Sequence, residues 1–187
     1  MRYLYIHGFG GNGRGVKATA FREHFGDALM APSLSTIPEL AIDTLEQIVE
    51  RGMKESPLTL IGSSLGGYYA AYLSEKYGIK AVLINPSVRP YETLERMIGE
   101  AFSYYDLSHF EWNSRHIGML RAYDTPCITP DNYLLLLQTG DELLDYTQAQ
   151  SKFAGAVTVV EEGGNHSFEG IETQFGLIAS FAEGTGA

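Results

Sequence analysis

Cysteine is almost missing from this chain: Cys127 is the only one in 187 residues. An intramolecular disulfide is therefore excluded, and a reducing compartment fits. Its neighbours Pro126 and Ile128 supply no cation to activate the sulfur, so it reads as a structural thiol. Positive charge is also scarce, with 13 Lys and Arg against 23 Asp and Glu and a formal net charge of −10. Without a basic stripe to replace condensed counterions, nucleic acid is not an expected partner. An anionic membrane surface would repel such a chain. Long apolar runs are lacking as well: none approaches a membrane span, and the opening Met1 to Gly8 has no signal-peptide core. The expectation is a cytoplasmic protein.

What is present is an ordinary globular composition, 44% hydrophobic and 19% charged, in a length that suits one domain. Short apolar runs at Arg2–Ile6, Ala28–Ala31, Leu58–Ile61, Ala81–Ile84, Tyr133–Leu137 and Ala156–Val160 read as strands. Helical patterns fall between them, at Val16–Phe25, Pro38–Lys54, Ser64–Tyr77, Asp145–Phe153 and Phe168–Phe181. Continuous apolar strands such as Leu134 to Leu137 belong in a parallel sheet buried on both faces. The expected class is α/β, with an all-parallel sheet of about six strands and helices on both faces. One interval, about 86–132, breaks the rhythm with a helix expected over Tyr91–Phe102 and irregular polar and aromatic sequence after it. A connection of that length serves as extra core, as a cap over a site, or as both.

Chemistry concentrates in Gly62-Ser63-Ser64-Leu65-Gly66, a Gly-x-Ser-x-Gly turn between a strand and a helix. That turn holds its central residue in a strained backbone and exposes the Ser64 hydroxyl beside a helix N-terminus. A serine needs a base, and the base needs an orienting acid. Ligands of open parallel sheets bind at the carboxyl ends of the strands. Asp141 follows the fifth strand and His166 the sixth, so the catalytic expectation is Ser64, Asp141 and His166. Glu142 and Asp145 compete with Asp141, although Asp145 reads as an N-cap. Ser63 is off the centre of the turn. His24 sits in a helix pattern and reads as surface or satisfied core, while His109 and His116 lie in the irregular insert without carboxylate or cysteine partners at metal-ligand spacing, and no metal is expected.

The loop His7-Gly8-Phe9-Gly10-Gly11-Asn12-Gly13 follows the first strand. It can aim the Phe9 N–H, together with that of Leu65, at a developing oxyanion. His7 reads as a brace for this loop. Gly8, Gly10 and Gly13 also spell the dinucleotide fingerprint. The second strand, however, ends in Ala31-Pro32-Ser33-Leu34 rather than in the acid that holds a ribose.

Tyr5-Ile6-His7-Gly8-Phe9, the elbow through Gly67, Asn85-Pro86-Ser87-Val88-Arg89-Pro90, Gln138-Thr139-Gly140-Asp141-Glu142 and Glu162-Gly163-Gly164-Asn165-His166 together resemble the YqiA/YcfP family of small bacterial α/β-hydrolases. The resemblance runs nearly the whole chain. It implies a reduced three-layer α/β-hydrolase fold and an esterase acting on short acyl esters through Ser64, Asp141 and His166. It implies no cofactor and fixes no natural substrate.

The chemistry expected is a serine esterase working through an acyl-enzyme on Ser64, with a small acyl ester as substrate. Residues expected against the substrate are Gly8, Arg89 and the aromatics Phe102, Tyr105 and Trp112. Arg89 either binds an anionic group or pins the 86–132 insert through an acidic partner. The alternatives are an acyl-CoA thioesterase, with Arg14, Lys17 and Arg89 as the available cations, and a ligand-binding homologue without turnover.

Overall fold

The computed structural model describes residues 2–185. Six strands form one sheet, ordered β2-β1-β3-β4-β5-β6, and every neighbouring pair is parallel. They are β1 (Arg2–Ile6), β2 (Leu29–Met30), β3 (Leu58–Ser63), β4 (Ala81–Ile84), β5 (Tyr133–Gln138) and β6 (Val157–Glu161). Strand β5 is buried from end to end, as a central parallel strand must be, while β6 is an exposed edge. The order reverses between β1 and β3. Loops leaving those two strands part to opposite faces there and open a crevice.

Side-chain alternation divides the core into two layers. Tyr3, Tyr5, Ile61, Val82, Leu134 and Leu136 face α1 (Val16–Phe25) and α7 (Phe175–Glu183). Leu4, Ile6, Leu60, Leu83 and Leu135 face the other way, against α2 (Pro38–Met53), α3 (Leu65–Tyr77) and α6 (Tyr146–Lys152). Helix α2 shows the logic: Ala41, Ile42, Leu45 and Val49 make one buried stripe at helical spacing. This is the three-layer α/β-hydrolase architecture. Among the described residues no helix is long and apolar enough to cross a membrane.

Two helices differ from the sequence reading. Over Tyr91–Phe102 there is only the short α4 (Pro90–Thr93) and a 3-10 turn, Glu95–Met97, with Gly99 at φ +79° beyond it. A helix forms later instead, α5 (Ser114–Arg121). Asn113 caps it by accepting from the Arg115 and His116 N–H groups, and His116 Nδ1 accepts the Asn113 N–H. Histidine in place of the usual Glu or Gln hides this capping box in the sequence. At the other end, the helix expected from Phe168 begins only at α7. Phe168 (φ +60°) and Gly170 (φ +73°) are left-handed, and a 3-10 turn over Ile171–Gln174 precedes the helix.

The 86–132 connection joins β4 to β5 and adds to the core. Val88, Tyr91, Ala101, Trp112, Ile117 and Leu120 are buried in the same layer as α2 and α3.

Candidate active site

Strand β3 passes into α3 through Ser64, whose backbone sits at φ 56°, ψ −120°. A non-glycine residue there is strained, and such strain persists only where its surroundings hold it. Here the Ser64 N–H is tied to the Ile84 carbonyl at 3.1 Å, and its own carbonyl accepts from the Ser87 N–H at 3.0 Å. The turn is too tight for side chains beside it: a Cβ on Gly62 would strike the Gly66 carbonyl, and one on Gly66 the Ile6 carbonyl.

Three loops converge on the Ser64 hydroxyl. His166, after β6, places Nε2 at 2.9 Å from Ser64 Oγ. Its Nδ1 lies 2.8 Å and 3.0 Å from the two Asp141 carboxylate oxygens. A carboxylate only accepts, so Nδ1 carries the proton and Nε2 is left to accept from Ser64. The Asp141 side chain is 2% exposed. Burial pushes its carboxyl up, but hydrogen bonds from His166 and from the Leu144 and Leu143 N–H groups outweigh burial and hold it below the ordinary carboxylate value. Glu142 takes a different position: its Oε2 accepts the His166 backbone N–H at 3.0 Å, which holds its carboxyl low. Asp145 caps α6 by accepting the Thr147 N–H.

The glycine-rich loop after β1 lies against the elbow. The His7 Nε2 accepts the Leu34 N–H at 3.0 Å, so its Nδ1 is the protonated nitrogen and donates to the Gly8 carbonyl at 2.9 Å. Burial pushes its pKa down, and the ring braces the loop in the neutral form. The N–H groups of Phe9 and Leu65 have no partner among the described residues. Leu65 opens α3, where first-turn N–H groups are unpaired by construction.

A cleft of about 810 Å³ opens over Ser64 and His166. Gly8 lines it, together with Val16 and Lys17 of α1 and Leu143 and Leu144 beside Asp141. The insert contributes Leu94, Met97 and Tyr104. Arg89, Phe102, Tyr105 and Trp112 lie outside it, which corrects the sequence expectation. Arg89 pairs with Glu92 at 3.7 Å on the exposed face of the insert. Trp112 is buried with its Nε1–H donating to the Leu94 carbonyl, and its ring packs edge-on to Phe9 at 4.7 Å. Phe102 is held in a bridge with His109, and Tyr105 is 66% exposed. Aromatic residue type marked the insert as wall material but not which rings turn inward. Lys17, weighed only as a cation at the mouth, donates from Nζ to the Ser167 carbonyl at 2.7 Å.

Among the described residues no cluster of three His, Cys, Asp or Glu could hold a metal. A serine hydroxyl bonded to an oriented imidazole beside free N–H groups can attack a carbonyl carbon.

Residues 2–183 match the family described as "Uncharacterised protein family (UPF0227)". The chain belongs to the UPF0227 family. The UPF0227 protein YcfP of Salmonella gallinarum is 27% identical over 191 residues, covering 95% of this chain and 97% of that one. Among solved structures, this UPF0227 chain resembles mouse alpha/beta hydrolase domain-containing protein 10, with a TM-score of 0.74 and 20% identity over 98% of this chain and 90% of that one. It also resembles a thermophilic esterase from Thermogutta terrifontis, with a TM-score of 0.73 and 17% identity over 100% of this chain and 91% of that one.

Proposed function

We propose that this UPF0227 protein is a serine hydrolase that cleaves carboxylic esters through an acyl-enzyme on Ser64. The observation that carries this reading is the continuous chain from Asp141 through His166 to Ser64, at 2.8 Å and 2.9 Å, at the mouth of a cleft. His166 accepts the Ser64 proton as Oγ attacks the carbonyl carbon. Asp141 fixes the tautomer and stabilises the imidazolium that forms. The unpartnered Phe9 and Leu65 N–H groups receive the oxyanion, a contribution of about 3–4 kcal/mol for each donor. His166 then protonates the departing alcohol and activates the water that releases the acid.

The fold likeness to the Thermogutta terrifontis esterase supports an ester as the substrate class. The test is a fluorophosphonate probe, which labels the wild type and leaves Ser64→Ala unlabelled. Labelling that survives the substitution moves the nucleophile elsewhere. Comparing kcat/KM for matched ester and thioester pairs fixes the leaving group.

A further inference from the structure

The loop that carries His166 has little of its own to hold it. Between the end of β6 and the turn at Ile171 it forms no helix or strand, and Gly163, Gly164, Phe168 and Gly170 all have positive φ. A base on such a segment would wander by more than the tolerance of a proton transfer unless something else fixed it.

Two buried amides do so. Asn85 follows β4, is 3% exposed, and has φ +39°, in the left-handed region that Asn tolerates better than other side-chain-bearing residues. Its Nδ2 donates to the Asn165 carbonyl at 3.0 Å and to the His166 carbonyl at 3.3 Å. Its Oδ1 accepts the Gln138 N–H at 3.0 Å. Gln138 ends β5 and is also 3% exposed. Its Oε1 accepts the Asn165 N–H at 3.1 Å and the Glu169 N–H at 2.8 Å, and its Nε2 donates to the Glu169 carbonyl and to Glu161, each at 2.8 Å. Gln138 makes four bonds and Asn85 three, each amide with its oxygen on N–H donors and its nitrogen on oxygen acceptors, so each can adopt only one orientation. Five of these bonds end on residues 165–169.

We infer that Asn85 and Gln138 are positioning residues: a buried two-amide clamp that transfers the rigidity of β4 and β5 to the loop bearing His166. The inference rests on the reading of His166 as the base for Ser64. Neither amide touches the substrate cleft, so their effect is on the chemical step rather than on binding.

The experiment combines p-nitrophenyl acetate kinetics with amide hydrogen exchange on Asn85→Ala, Asn85→Asp and Gln138→Met. Asn85→Asp keeps the shape and the acceptor for the Gln138 N–H but opposes two carbonyls with a carboxylate. It decides the matter if Asn85→Ala does not fold. The expected result is a fall in kcat of ~10²-fold with KM changed less than about threefold, because a displacement near 1 Å has that effect on a reacting pair. Exchange of amides 165–169 should rise at least about tenfold while β3 and β4 keep their protection, since local opening is separable from global unfolding. A folded variant with kcat near the wild type, or a uniform rise in exchange, overturns the clamp. A wild type that hydrolyses no ester overturns the esterase reading instead, and the exchange pattern still decides the clamp.

Discussion

Gly8 faces Ser64 so closely that a Cβ placed on it would stand 3.1 Å from the Ser64 Cβ and 3.6 Å from its Oγ. The loop after β1 and the elbow after β3 therefore meet at Ser64, where even a methyl group would be a tight fit. Gly8→Ala should lower kcat/KM about tenfold and Gly8→Val ~10²-fold, by crowding the space a carbonyl must enter. For Gly8→Ala the unfolding midpoint should move little, because Gly8 does not have positive φ and its Cβ would meet nothing closer than 3.1 Å. Gly66→Ala is the contrasting case. Its Cβ meets the Ile6 backbone, and the overpacking should destabilise the fold by about 1–3 kcal/mol. Steady-state rates and urea midpoints on both variants distinguish the two effects.

Asp141 and Asp145 are four positions apart and do unrelated work. Asp141→Asn should reduce kcat by up to about 10⁴-fold, because an amide at that place no longer imposes the tautomer with Nε2 free to accept. Asp145→Asn should leave kcat within about threefold, since Asn caps a helix as well as Asp does. If the second substitution proves the more damaging, the acid has been misassigned.

Trp112 and Met97 both belong to the insert, and they predict opposite phenotypes. Trp112 packs under Phe9 and is 2% exposed, so Trp112→Ala should cost about 3–5 kcal/mol of stability and leave chain-length preference alone. Met97 lines the cleft. Met97→Ala should shift preference towards longer acyl chains, by roughly fourfold per methylene newly buried at about 0.8 kcal/mol each. Met97→Trp should shift it towards shorter ones. A series of p-nitrophenyl esters from acetate upward, alongside urea melts, checks both.

Much of this was legible in one dimension. Strands β1 and β4 fall on the expected residues, because buried parallel strands leave unbroken apolar runs. That Ser64, Asp141 and His166 come together was readable because each follows a strand end, where side chains of an open sheet converge. The insert was not. Its helix α5 is two turns long and capped by an Asn–His pair that matches no common pattern, and the helix expected earlier stops at Thr93. Leu94 and Met97, which line the cleft, could not be told from residues turned to solvent such as Tyr105, since no period fixes direction in irregular chain. Asn85 and Gln138 were visible within their motifs, but the partners that give them meaning lie between 27 and 81 positions away.

Lys17 links the site to pH. It lines the cleft and donates to the Ser167 carbonyl next to His166. Burial pushes its ammonium pKa down to about 8, although the nearby Asp141 carboxylate works against the shift. In the unfolded chain the same group titrates near 10.4. Between those values the unfolded chain binds more protons than the folded one, so this lysine makes stability rise with pH across that window. Below about 8 the charge is present in both states, and the cost of its partial burial is borne by the fold. Lys17→Met removes the titration. Relative to wild type, the variant should therefore gain most in stability below the folded pKa and lose that advantage steadily as the pH climbs. Urea midpoints of both proteins at about pH 7 and about pH 9.5 provide the measurement, and the tyrosines they share cancel in the difference. A stability difference that does not change between the two pH values would mean that Lys17 keeps its ordinary pKa in the cleft.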